Sequence, residues 1–287
     1  MRNTHIVIMA GGVGSRLYPV STPERPKQFI DLLGCGKTLI QLTYERFREA
    51  DAAAQFWVVT SARYIPFVRE QLPGIPADQI LAEPEARNTA PCIALACWKI
   101  RRKDPQANIV VTPADAYVPD CRAFAGTMRR ALGFTDAREA IVCVGIAPDG
   151  PNTGYGYIHA PGAAEEEVTR VASFKEKPSL ELAERYLAEG GYFWNAGIFA
   201  WNIDTIESEL RRHAPQICGV MDELAPALYT PDEEEALARL FPRCEKISID
   251  YAVMEKSDRV YMIPGRWAWS DLGSFEAIEK ITGKKLK

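Results

Sequence analysis

Short apolar runs alternate with amphipathic stretches through the first half of the chain. The runs at 6–10, 55–60, 80–82, 108–112 and 140–144 read as strands, and the stretches at 39–50, 64–71, 90–103 and 123–135 carry the spacing of helices. Strands apolar on both faces and separated by helices predict a mostly parallel sheet with right-handed crossovers. Such sheets gather ligands at the carboxyl ends of their strands. After Gly150 the rhythm changes to short Gly- and Tyr-rich strands at 154–160, 168–175 and 193–201, a long helical region at 203–241 and a final strand at 260–264. No Pro/Ser/Gly-rich linker divides the halves and no internal repeat is present, so one domain over 1–287 is expected, with halves at about 1–150 and 151–287. The acidic run 232–235 reads as a solvated helix N-terminus, which the helix dipole favours, and not as a metal site.

Composition narrows the partners. A net charge of −4 argues against a nucleic-acid groove or an anionic membrane surface, so any anion site must be a local concentration of Arg and Lys. The seven cysteines are odd in number, scattered and without a C-x-x-C pair, which indicates neither a zinc site nor a disulfide framework. A reducing cytoplasm is the expected compartment. The apolar run near the N-terminus is too short for a signal sequence, and no segment approaches the length of a membrane span.

The densest chemistry follows the first strand, in Ala10-Gly11-Gly12-Val13-Gly14-Ser15-Arg16-Leu17-Tyr18-Pro19. Glycine backbone leaving a buried strand can approach a polyphosphate closely and present several N–H donors. The run lacks the third glycine of a dinucleotide fingerprint and carries Arg16 instead. Arg16 with Lys27, downstream, could neutralise a triphosphate and charge developing during its transfer. Two aspartates follow strand-like segments, Asp115 in Thr112-Pro113-Ala114-Asp115 and Asp271 in Trp269-Ser270-Asp271-Leu272-Gly273. Singly each is a turn or cap residue. Together they are what a hard cation such as Mg²⁺ needs when phosphates complete its shell. Glu176-Lys177-Pro178 offers an acceptor for sugar hydroxyls and a cation for a phosphate, and Asn195 lies between an aromatic residue and a short Ala-Gly step.

In this order, with Glu83-Pro84-Glu85-Ala86-Arg87-Asn88-Thr89-Ala90-Pro91, Thr153-Gly154-Tyr155-Gly156-Tyr157-Ile158 and Ser248-Ile249-Asp250-Tyr251-Ala252-Val253-Met254-Glu255-Lys256, the segments resemble the sugar-nucleotide pyrophosphorylases. The similarity covers nearly the whole chain and is strongest to the mannose/guanine branch. The resemblance implies a Rossmann-like, GT-A-like α/β fold with a mixed, mostly parallel sheet, flanking helices and a sugar-binding lobe. It implies one nucleotidyltransferase domain, the first half binding nucleotide and the second sugar phosphate; longer relatives continue into a left-handed β-helix or an isomerase domain, and since this sequence ends soon after Ser274 neither is expected. The implied reaction is Mg²⁺-dependent: GTP and mannose 1-phosphate give GDP-mannose and pyrophosphate by in-line attack on the α-phosphorus. Carried over, Ala10, Gly11, Gly12 and Gly14 hold the nucleotide, Arg16 and Lys27 the β- and γ-phosphates, and Asp115 and Asp271 the metal. Glu83 and Asn88 would read guanine, Gly154, Glu176 and Asn195 would face the mannose, and Lys177 would bind its phosphate. The family commonly has a histidine after the Pro-Ala-Asp aspartate, where this chain has Ala116. Another base or sugar, or a non-catalytic GDP-mannose-binding regulator, stays open as an alternative, as does a homodimeric assembly.

Overall fold

The computed structural model describes residues 2–163 and 167–283. Its strands are β1 (Thr4–Met9), β2 (Gln55–Ser61), β3 (Ile80–Glu83), β4 (Asn108–Pro113), β5 (Ile141–Ile146), β6 (Tyr157–His159), β7 (Thr169–Arg170), β8 (Ser173–Lys175), β9 (Tyr192–Asn202) and β10 (Val260–Gly265). The helices are α1 (Leu39–Ala50), α2 (Ile65–Gln71), α3 (Thr89–Lys103), α4 (Cys121–Asp136), α5 (Leu180–Glu189), α6 (Ile203–His213), α7 (Pro215–Leu224), α8 (Glu233–Leu240) and α9 (Phe275–Thr282). The main sheet runs β3-β2-β1-β4-β9-β5-β10-β7, with β6 paired to β9 and β8 to β6. Neighbours β3, β2, β1 and β4 are parallel, as are β5 and β10, while β9 runs antiparallel between β4 and β5. This is the expected mixed, mostly parallel sheet.

Successive residues of β1 serve opposite faces. Val7 joins a cluster with Ile93, Ile206 and Met221 of α3, α6 and α7, whereas Ile6 and Ile8 join Ile40, Val68 and Phe124 of α1, α2 and α4. Both faces are therefore buried, which explains why the strand sequences read as continuous apolar runs. Local signals start the helices: Asp120 accepts from the Ala123 N–H at 2.9 Å, and Asn202 from that of Thr205 at 2.8 Å. In α8, Glu234 and Glu235 are exposed in the first turn as expected, but Glu233 reaches inward to pair with the buried Lys99.

The second half departs from its expected pattern in four places. The stretch 168–175 is two strands, because Val171 donates to the Val260 carbonyl and Ala172 to that of His159, turning the chain from β10 to β6. Residues 154–156 are loop, with β6 starting at Tyr157. The region 203–241 breaks into three helices, the first break coming where Pro215 cannot continue α6. Helices α5 and α9 have no counterpart in the sequence pattern. A small core of Leu17, Leu32, Leu39, Leu272 and Ile278 lies under the glycine-rich loop, with α9 supplying Ile278.

Candidate active site

The loop after β1 is held from below. Gln28 donates through Nε2 to the carbonyls of Ala10 and Gly12, at 2.9 and 2.8 Å, and Thr60 donates to that of Ala10 at 2.8 Å. The glycines differ in what holds them. At Gly14, φ is +62° and a Cβ would lie 2.6 Å from the Ser21 Oγ, so neither backbone nor space admits a side chain. A Cβ on Gly11 would lie 3.2 Å from Oε2 of Glu83, while Gly12 faces open space.

Lys27 links the two strand-end aspartates. Its Nζ lies 2.9 Å from Oδ2 of Asp115 and donates to the Asp271 carbonyl at 2.7 Å, although the residue is only 8% exposed. Asp115 stands just beyond β4, and Ser270 beside Asp271 bridges to Tyr117, so the aspartate-bearing segments pair directly. Oδ1 of Asp271 accepts from the Tyr155 hydroxyl at 2.8 Å and the Gly273 N–H at 3.0 Å. Its Oδ2 is left toward Arg16, whose guanidinium is 3.9 Å away and well exposed. Burial and the Asp271 carboxylate together push the Tyr155 phenol above its usual range. Leu272, next in the chain, has φ +48°, a strained conformation of the kind that collects at sites of function.

The other end of the same cleft, whose volume is about 290 Å³, holds Gly154, Gly156, Glu176, Asn195 and Asp250. Glu176 is 8% exposed and accepts from Lys177 Nζ at 2.5 Å, so these two candidate ligand groups satisfy one another here. Lys177 sits at φ +46°. Asn195 donates from Nδ2 to Oδ1 of Asp250 at 3.0 Å and accepts from the Gly197 N–H at 3.0 Å. Burial, and then the Glu176 carboxylate, raise Asp250 to about 6. A Cβ on Gly156 would fall 2.6 Å from Oε2 of Glu176, so that glycine makes room for the carboxylate.

Of the residues singled out in the sequence, Arg16, Lys27, Asp115, Gly154, Glu176, Asn195 and Asp271 line one cleft, Gly12 and Gly14 line a hollow that shares Arg16, Lys27 and Asp115 with it, and Ala10, Gly11 and Lys177 border these without lining the cleft; two others stand further apart. Asn88 is exposed, has φ +67° and uses its Oδ1 to accept from the Thr89 N–H at the start of α3; it does not line the cleft. Glu83 lies behind the glycine loop, 8% exposed, its Oε1 without a hydrogen-bond partner, and burial raises it to about 7. Asp250, Tyr155 and Gly156 join the cleft without having been expected as site residues, although their segments carry the resemblance. Asp250 begins a π-helical turn, Asp250–Met254, a local feature frequent at functional sites and without a sequence signature of its own.

Fold and cleft define a GT-A-like α/β protein with a cationic edge at the carboxyl ends of β1 and β4. The chain belongs to the nucleotidyl transferase family, which matches residues 5–287. It is 37% identical over 290 residues to mannose-1-phosphate guanylyltransferase of Escherichia coli K12, covering 96% of this chain and 59% of the relative. It is 37% identical over 284 residues to the alginate biosynthesis protein AlgA of Pseudomonas aeruginosa, covering 97% of this chain and 58% of that one. The chain therefore spans less than two thirds of these curated relatives. A solved structure from Thermus thermophilus, described as mannose-1-phosphate geranyltransferase, superposes with a TM-score of 0.85 at 33% identity, covering 98% of this chain and 80% of that one. Among the described residues no helix is long and apolar enough to cross a membrane.

Proposed function

We propose that this chain is a mannose-1-phosphate guanylyltransferase, transferring GMP from GTP to α-D-mannose 1-phosphate with release of pyrophosphate. The observation that carries the reading is the cleft itself. At one end Lys27 joins Asp115 and Asp271, beside Arg16; at the other, Glu176, Asn195 and Asp250 offer polar groups to sugar hydroxyls. The glycine-rich loop with Ala10, Gly11, Gly12 and Gly14 takes the nucleotide, and Arg16 and Lys27 take the charge of the β- and γ-phosphates. Lys177, paired here with Glu176, would exchange that carboxylate for the sugar phosphate. Glu83, when ionised, matches the N1–H and N2–H donors of guanine. The first half of the chain supplies the nucleotide end and the second the sugar end, with Asp271 crossing to the phosphates.

The chemistry asks little of a general base, because the attacking phosphate oxygen already carries charge. Its bond to the α-phosphorus forms as the bond from that phosphorus to the bridging oxygen breaks, and the electron pair leaves with pyrophosphate. Positioning and charge stabilisation then supply the rate. Asp115 and Asp271 fit a divalent cation such as Mg²⁺: both are hard oxygen donors, and Asp271 has one oxygen fixed by Tyr155 and Gly273 with the other left over. Two carboxylates do not fill an octahedral shell, so nucleotide phosphates and waters would supply the remaining ligands, as is usual for Mg²⁺. When bound, the ion would neutralise phosphate charge. Incubation with Mg²⁺, GTP and mannose 1-phosphate should yield GDP-mannose and pyrophosphate in equal amounts. No product, or a preference for another nucleotide or sugar phosphate in a substrate panel, would overturn the assignment.

A further inference from the structure

Arg46, on α1, is buried to 2% exposure outside the cleft. Among the described residues no carboxylate is within ion-pair distance of it, and burial lowers the guanidinium to about 10. Its Nε has no hydrogen-bond partner. A cation taken out of water without a counter-ion is costly, so what its other nitrogens hold becomes the question.

They hold the backbone that carries Asp115. Nη1 and Nη2 donate to the Ala116 carbonyl at 3.3 and 3.4 Å, and Nη2 also donates to the Thr43 hydroxyl oxygen at 3.0 Å. Thr43 in turn donates to the Ala114 carbonyl at 3.2 Å. Residues one turn apart on α1 thus grip the carbonyls on both sides of Asp115, while the Phe124 ring lies 5.1 Å from the guanidinium carbon. The Ala114 N–H goes to Met9 and the Tyr117 N–H to Ser270, so the segment is tied to β1 and to the Asp271 loop as well.

We propose that Thr43 and Arg46 are positioning residues that aim the Asp115 carboxylate at a divalent cation. The inference rests on the reading of Asp115 as a cation ligand. A flat fork of donors suits the task, since Nη1 and Nη2 converge on the Ala116 carbonyl while Nη2 also reaches Thr43, a two-nitrogen arrangement that a single lysine ammonium does not reproduce. Groups that orient metal ligands in this way typically change metal affinity by about 10–100-fold when removed.

The test is Mn²⁺ binding to the full chain in the presence of GTP, followed by the electron paramagnetic resonance signal of free Mn²⁺, with thermal unfolding recorded in parallel. Thr43→Val and Arg46→Lys should each weaken Mn²⁺ on the order of tenfold in protein that still unfolds cooperatively. In an Asp115→Asn background the same changes should give no further loss, because both act through Asp115. A purely structural role would lower the unfolding temperature and leave Mn²⁺ affinity unchanged, and that result overturns the proposal. Thr43→Val changes little volume and decides the matter if Arg46→Lys fails to fold. Unaltered affinity in Asp115→Asn alone would remove the cation assignment and this proposal together. A loss there with none from Thr43→Val or Arg46→Lys would remove only the positioning role.

Discussion

Glu83 carries an energetic cost that its surroundings do not offset. Burial holds its carboxyl at about 7, above the ordinary 4.5, and Oε1 lacks a partner. A folded-state pKa raised in this way gives stability that is full below 4.5 and lost as pH rises through about 7. Replacing Glu83 by Gln should therefore raise the unfolding temperature more at pH 8 than at pH 4.5, read by scanning fluorimetry. Function runs the other way. If the carboxylate reads guanine, KM for GTP should climb as pH falls through about 7, and the Gln variant should lose that pH dependence. A KM profile identical in both proteins would detach Glu83 from the base. At this scale the sequence shows charge and position but not allocation. That Asp115 and Asp271 come to one cleft is legible because carboxylates after strands sit where α/β sheets open their ligand crevice. Asn88 stands outside the cleft because an asparagine beside a helix start serves equally as a cap. Asp250 escapes notice because its significance comes from Asn195 and Glu176, both far away along the chain.

Among elements, α9 has the largest influence for its size. Ile278 is fully buried against Leu17 of the Arg16 loop and Leu272 of the Asp271 loop, so one short helix seats both of these cleft-facing segments. Ile278→Ala should cost about 2–5 kcal/mol by loss of burial and the cavity left behind. Urea unfolding should show the loss, and a change within about 0.5 kcal/mol would mean that the helix is a passive cover. Neither α9 nor α5 is legible in the sequence, and the reason is shared: each buries a single residue, Ile278 or Ala183, and in α5 Leu180 is 53% exposed. In α9 the stripe of Phe275, Ile278 and Ile281 does pack on the small core, but eight residues give it too little length to stand out. The strands β1 to β5 and helices α1 to α4 are legible because most of their buried apolar positions lie on the two faces of one sheet.

At the scale of the molecule, strand order decides what is separable. The first half cannot finish its sheet, since β9 fills the gap between β4 and β5, and β10 covers the other side of β5. Composition and run lengths identify β9 as a strand but say nothing about which earlier strands it takes as partners. A fragment ending at residue 150 should accordingly be insoluble or lack a cooperative unfolding transition, checked by expression and circular dichroism. A soluble fragment with a sharp transition would show that the first half closes by itself. The same inserted strand also sets a timetable for synthesis. As the chain leaves the ribosome, β4 and β5 emerge with two open edges facing a vacant lane, and both stay sticky until residue 202 is out. The interval in which nascent chains can pair wrongly with one another is thus written into the topology, and slower translation through the segment before β9 should lengthen it.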